Sequence, residues 1–357
     1  MSGTHDPVGP RNLWPLSYKS CLKRWSPHSP TSRALIMGAR IALLLLLPLI
    51  PGGLALRKPP PGAITIGKGG QYVNLSSALQ DTSSLEYFVF EGTYTDTAVI
   101  TRDHVRIYGQ TNIPDSYLGN TVTITNNIPA SQAGSNDKSG TVQVHAANVS
   151  LYNLNIANTY GKPVVQAQAI ALSVQGGQFG GYGLKISGDQ DTLLANVGTQ
   201  YYANSLIEGA VDFIFGQHAS IWITHSVIHT IADGNITASG RGSDDAFWYV
   251  IDHSTILGNG TQTYLGRPWG AFARVVYQHS WLPKSVPAVG WAEWHPDDER
   301  ISNVTFAEYA NIGPGAAKPG QRANFSTQLT SPISIHTVLN TTSWIDPAFL
   351  HRDSPFP

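Results

Sequence analysis

Four residues in the middle of the chain have the types and the spacing to carry acyl-transfer chemistry. Gln168 lies in QAQAIAL (166–172), Gln190 and Asp191 in GDQDTLL (188–194), and Asp212 in VDFIFG (211–216). Gln168 and Gln190 are 22 residues apart, and Gln190 and Asp212 are again 22 apart. A carboxylate can attack an ester, a second carboxyl can carry the proton, and amide N–H groups can hold the charge that develops on the carbonyl oxygen. The equal steps suit one full coil of a parallel β-helix, whose neighbouring coils lie about 4.8 Å apart. Gln168, Gln190 and Asp212 are then expected in one column, with Asp191 beside it. Spacing alone leaves a second reading open, because stacked polar residues also form purely structural ladders.

The remaining chain supplies elements that could hold such a column. From Thr141 short alternating segments recur: VSLYNLNIAN, YGLKISG, NSLIEGA, SIWITHSVIHT and WYVIDHSTILG. They are aliphatic or β-branched at strand spacing and parted by Gly, Asn and Asp turns. Leu184, Leu206 and Val227 repeat at 22 and 21 residues. Earlier strands are expected at 63–67, 104–108 and 121–126, and 86–100 reads as strand, Gly turn, strand. Residues 75–80 read as a short helix closing the open end, since a terminal coil needs a cap. Residues 131–140 read as a polar loop and HPDDER (295–300) as a solvent loop. Beyond Trp294 the regularity fades into a last coil and a tail packed along the outside. No stretch sustains a helical period. The fold expected is all-β: a single-stranded parallel β-helix with a short N-terminal capping helix and no internal domain boundary.

Composition agrees. Charged residues are 13% of the chain, below the usual quarter, and glycine is frequent at 35 residues. The formal charge of −1 gives no footprint for nucleic acid or an anionic membrane. Met37-Gly-Ala-Arg40, then an apolar run over 41–50 and a Pro-Gly-Gly turn, read as a signal peptide spanning 37–55, cleaved after Ala55. The run is short for a membrane span, which weighs against an uncleaved anchor. Residues 1–36 are Pro-rich, basic and aperiodic; they read as an unstructured leader from a start assigned too early, with Met37 the true start. The domain proper is then 56–357. The only cysteine, Cys21, falls in the leader, so the mature chain would hold no disulfide. Seven N-x-S/T sequons, at Asn74, Asn148, Asn235, Asn259, Asn303, Asn324 and Asn340, fit a secreted glycoprotein. Asn74 has a rival role as N-cap of the 75–80 helix.

Five blocks, YGKPVVQAQAIALS, GDQDTLL, EGAVDFIFGQHA, NITASGR and YLGRPW, resemble the signature blocks of pectin methylesterases, in that order. VRIYGQT, NLNIANTYG, GWAEW and TFAEYANIGPGA add weaker matches, so the resemblance spans about 63–349 and is closest in flavour to fungal members. It implies a right-handed parallel β-helix that hydrolyses the C6 methyl ester of galacturonate in pectin to methanol and pectate. By the same resemblance Asp212 is the nucleophile, Asp191 the general acid/base, Gln190 and Gln168 the oxyanion amides, and Arg267 the partner of the nucleophile. Phe215, Trp269 and Trp291 become walls of the sugar cleft. Gln168 is preferred to Gln166 because it alone keeps the 22-residue step. Leu194 stands where many members have tyrosine, which removes a substrate contact. Bland roles compete: Phe213 and Phe215, on one face by alternation, could be core, Trp269 could cover it, and Gly216, Gly266 and Pro268 read as turns.

The chemistry asks for an ionised Asp212 beside Arg267 and a protonated Asp191, its pKa raised by burial and by its neighbour. It requires neither metal nor cofactor, and the histidines show no metal spacing. The expected partner is methyl-esterified homogalacturonan, met outside the cell by a monomer, with no nucleic acid or stable membrane association. A lyase or a polygalacturonase would give no reason for Gln190 beside Asp191, and a non-catalytic binding helix would not need both aspartates. The secreted protein should begin near Leu56; N-terminal sequencing that finds Ser2 or Gly3 on secreted material contradicts both the cleavage site and the reassigned start.

Overall fold

A column of isoleucines shows how the chain winds. Ile124, Ile156, Ile186, Ile207, Ile228 and Ile256 stand opposite one another on successive strands and are fully buried. Alternation turns each inward, and stiff β-branched side chains stack well at strand spacing. The computed structural model describes residues 58–350. The leader, the apolar run, Cys21 and the cleavage site therefore lie outside the described residues.

The chain visits three sheets in turn. Phe179–Tyr182 belongs to the first, Lys185–Ser187 to the second and Leu193–Ala195 to the third, before Val197–Ala203 returns to the first. Among the described residues these sheets hold eleven, seven and seven strands, and their neighbours pair in parallel. This is a parallel β-helix. Its coil length differs from the sequence expectation. Leu172 pairs with Leu193 and Leu193 with Ile214, so the central coil is 21 residues, not 22. Residues 86–100 also depart from the strand–turn–strand reading. They form three strands, Glu86–Val89, Gly92–Thr95 and Ala98–Ile100, one in each sheet. Corners of only two residues separate them, which alternation cannot distinguish from a continuing strand.

The corner between the first and second sheets is built identically on successive coils. Gly183, Asn204, His225, His253 and His279 turn it with φ between 40° and 58°, a region that Gly enters freely and Asn and His more readily than most. The residue after the turn is a buried serine at 205, 226, 254 and 280. Each serine hydroxyl donates to the carbonyl two residues back. Each also accepts the N–H of residue 184, 205, 226 or 254 on the coil before. The ladder satisfies backbone donors that the turn would otherwise leave buried without a partner.

The first coil is capped, and residues 335–350 lie along one side of the helix. Leu75–Ala78 is a short helix whose Leu75 and Ala78 pack into the core with Ile64 and Ile66. Asn74 caps it, accepting the Ser77 N–H at 3.1 Å. Later in the chain, Ile335–Leu339 and the segment after it lie on the outer face of the first sheet. There Tyr108, Tyr152 and Tyr182 stack at 4.7 and 4.8 Å, and Phe349 rests on Tyr182 at 4.8 Å. Tyr201 donates to the Phe349 carbonyl, Tyr152 to the Asp346 carboxylate, and Asp346 N–H to Tyr182. Phe349→Ala should cost about 3 kcal/mol of stability by urea unfolding, the usual loss for a buried phenylalanine, without changing the turnover of folded protein. A loss below about 1 kcal/mol would show that the tail is not a structural clasp.

Candidate active site

The site forms at the corner between the second and third sheets, where residues 188–192 of one coil lie against residues 210–213 of the next. Gln190 bridges Val211 and Leu193 pairs with Ile214. Between them the Asp191 N–H donates to the Val211 carbonyl at 3.0 Å. Asp191 therefore stands directly opposite Asp212, the two carboxyls one coil apart. On the preceding coil the Ala169 N–H donates to the Gln190 carbonyl at 3.1 Å, which sets Gln168 opposite Gln190. The expected single column of Gln168, Gln190 and Asp212 is thus two adjacent columns, amide over amide and acid over acid. The cause is the 21-residue coil, which puts Val211 below Gln190. Both aspartates hold left-handed backbone, with φ of 66° and 53°, a conformation that Asp tolerates better than most residues.

The two carboxyls meet different surroundings. Asp212 is buried, and Arg267 closes on it as a fork, Nε to Oδ1 at 2.9 Å and Nη2 to Oδ2 at 2.6 Å. Both oxygens accept from the guanidinium, a charge-assisted bidentate pair. Arg267 ends the strand Thr263–Arg267 of the third sheet. Its guanidinium lies 4.3 Å from the Trp294 ring and donates to the Trp294 carbonyl. Asp191 is also buried, and its pKa is pushed well above the usual carboxylate range. Burial is the main cause, the Asp212 charge adds to it, and Lys162 and Arg267 oppose it.

The amides are held as well. Gln190 is buried, and its Oε1 accepts from Lys162 Nζ at 2.6 Å and from the Ala167 N–H at 3.0 Å. Gln168 is half-buried and donates through Nε2 to Gln166 Oε1 at 2.7 Å. Gln166 is thus a neighbour of the amide pair rather than a member of it.

Phe215 and Trp269 form a wall, their rings 6.0 Å apart at 58°, in a cluster with Ile170, Leu194 and Ala238 on the outer side of the third sheet. Trp269 is half-buried, and Phe215 beside it is buried. Phe213 does not share that side. The left-handed Asp212 breaks the alternation, so Phe213 and Ile214 both enter the core and Phe215 points out. Gly266 lies within a strand, not a turn, and a Cβ there would meet Thr237 Oγ1 at 2.1 Å. Trp291 does not join the site. It is 2% exposed, stacks on Phe306 at 4.4 Å and donates to Glu308. No face is open to a sugar, so the expectation for Trp291 is corrected. Three residues on, Trp294 takes the place at the site through Arg267. The HPDDER loop also contributes, because Arg300 reaches back to the Trp269 carbonyl and over the Trp294 ring. Lys162, Trp294 and Arg300 carried no periodic signal, since each acts from a loop. Among the described residues Asp252, His253 and His279 bring ligand-type atoms within 4.8 Å of one another. They sit at the corner between the first and second sheets, where both imidazoles bond to the Asp252 carboxylate.

A parallel β-helix that stacks a buried acid on an arginine-clamped carboxylate has the parts of a carboxylic ester hydrolase. The chain belongs to the pectinesterase family, whose model matches residues 66–340. It is 42% identical over 312 residues to the pectinesterase of Aspergillus aculeatus, covering 81% of this chain and 93% of that one. A pectinesterase of Aspergillus niger is 40% identical, over 82% and 93%. Among solved structures, the deglycosylated pectin methylesterase of Aspergillus niger superposes with a TM-score of 0.75 at 38% identity, covering 82% of this chain and 99% of that one. Pectin methylesterase from carrot gives 0.67 at 25% identity, over 77% and 90%.

Asp191 carries a stability consequence. Its folded pKa is raised, so its contribution to stability is full below the unfolded pKa and is lost as pH rises through the folded value. Asp191→Asn should therefore melt higher than wild type at neutral pH, with the difference vanishing below about pH 4, the unfolded pKa. Equal melting temperatures across that range would show that Asp191 is not buried at a cost.

Proposed function

We propose that the chain removes the C6 methyl ester of galacturonate in pectin, releasing methanol and leaving pectate. The observation that carries this reading is the stacked pair of carboxyls with unlike surroundings, one forked by Arg267 and one whose pKa is raised by burial. In this reading an Asp212 oxygen attacks the ester carbonyl. Amide N–H groups of Gln168 and Gln190 hold the oxyanion, each donor worth about 3 kcal/mol of barrier. Asp191 gives its proton to the departing methoxide. It then takes a proton from the water that attacks the acyl-enzyme, which frees the acid product and restores Asp212. Arg267 fixes the attacking carboxylate with a planar fork that lysine lacks. Trp269, beside Phe215, offers an aromatic face for a pyranose ring.

The family and the sequon-rich chain support action outside the cell on methyl-esterified homogalacturonan; in this reading the signal peptide is lost and the domain 56–357 acts as a monomer. No helix among the described residues is long and apolar enough to cross a membrane.

Methanol release from methylated pectin tests the reading. Asp212→Ala and Asp191→Ala should each lose at least about 10²-fold in kcat, the lower bound for lost acid–base work, with wild-type circular dichroism. More than about a tenth of wild-type activity in Asp212→Ala would remove it as nucleophile, on the same bound. An absorbance rise from unsaturated products would mark a lyase instead.

A further inference from the structure

We propose that Lys162 is a positioning residue for this ester hydrolysis, its ammonium locking the Gln190 amide with the NH₂ end turned toward the reacting carbonyl. The inference rests on the reading of Gln190 as an oxyanion donor. A side-chain amide is nearly symmetric in shape, so a buried glutamine can be reversed at little steric cost. Reversed, Gln190 would aim its carbonyl oxygen at the developing oxyanion and oppose the reaction. Two donors prevent that. Lys162 Nζ sits 2.6 Å from Gln190 Oε1, and the Ala167 N–H sits 3.0 Å from the same oxygen. In the reversed amide both would face N–H groups. The bond from an ammonium is charge-assisted, and it polarises the amide so that the opposite N–H donates more strongly.

The lysine is placed for this work. It stands in an exposed loop whose Val164 and Val165 are 54% and 82% exposed, so apolar burial does not hold the loop down. Lys162 ties it instead, by donating to the Val165 carbonyl at 2.9 Å as well as to Gln190. Lys162 is itself an exposed residue, yet its Nζ spans from its own loop to the next coil.

The same ammonium acts on Asp191. The charged groups acting on Asp191 are Asp212 and Arg267 on later coils and Lys162 on the coil before. Lys162 lowers the pKa of Asp191 and of Asp189. Without it the Asp191 carboxyl should stay protonated to higher pH, and the alkaline limb of kcat should move up.

Purified full-length variants test this by methanol release across pH. Lys162→Met should lose on the order of tenfold to a hundredfold in kcat, the scale of a misplaced group in an active site. KM should change little, the alkaline limb should move to higher pH, and thermal unfolding should match wild type below about pH 4, where Asp191 is protonated folded and unfolded alike. Lys162→Arg should restore part of kcat and return the limb toward its original place. Lys162→Met in a Gln190→Ala background should cost no further kcat. If Gln190→Ala is slow while Lys162→Met keeps wild-type kcat and pH limb, the positioning role is overturned and the oxyanion reading stands. If Gln190→Ala itself keeps wild-type kcat, the oxyanion reading falls and takes this inference with it.

Discussion

Parallel stacking at a fixed strand spacing is the constraint on which the rest of this structure depends. Whatever side chain occupies a corner on one coil is held about 4.8 Å from its counterpart on the next. For isoleucine this is favourable and builds the core column. For serine it builds a ladder of backbone caps. For aspartate it forces two carboxyls together in a buried corner, which neither would choose if both were ionised. The fold thus creates an electrostatic problem at Asp191 and Asp212, and the surrounding residues decide how it resolves.

The resolution draws on separate coils. Arg267, from the end of a later strand, takes Asp212 by both oxygens. Asp191 receives no such fork and meets burial and a neighbouring anion instead. Trp294 and Arg300, from the irregular segment beyond the last regular coils, hold Arg267 and the Trp269 backbone. Two chemically identical side chains are differentiated by cations whose positions the helix sets from above and below. Serine ladder and acid pair are the same geometric principle with different residue chemistry.

Much of this could be read from the residues. Strand alternation and repeated turn residues announced the solenoid, Asn74 announced its capping helix, and the motif blocks announced the family. The exact register could not be read. Two equal 22-residue steps suggested one column, but Gln190 to Asp212 crosses a 21-residue coil, and only the hydrogen-bond ladder shows which residue lies under which. Alternation also failed where the backbone turns left-handed, at Asp212, and so misplaced Phe213 relative to Phe215. Trp291 matched a motif, yet its ring closes the core, since which tryptophan of GWAEW points inward depends on packing against Phe306. Lys162 and Arg300 act from loops, where no period marks them.

The aromatic tail has a consequence for how the chain comes into being. Phe349, Ile345 and Leu339 cover a tyrosine face contributed by coils made much earlier. During synthesis the coils therefore present an outer stripe of rings that stays wet until residues 339–349 emerge. A nascent or prematurely ended chain would carry that stripe as an exposed sticky edge, of the kind that chaperones bind. The clasp therefore makes folding visible on the surface: a chain on which residues 339–349 have docked no longer shows the stripe by which an incompletely folded one can be held back.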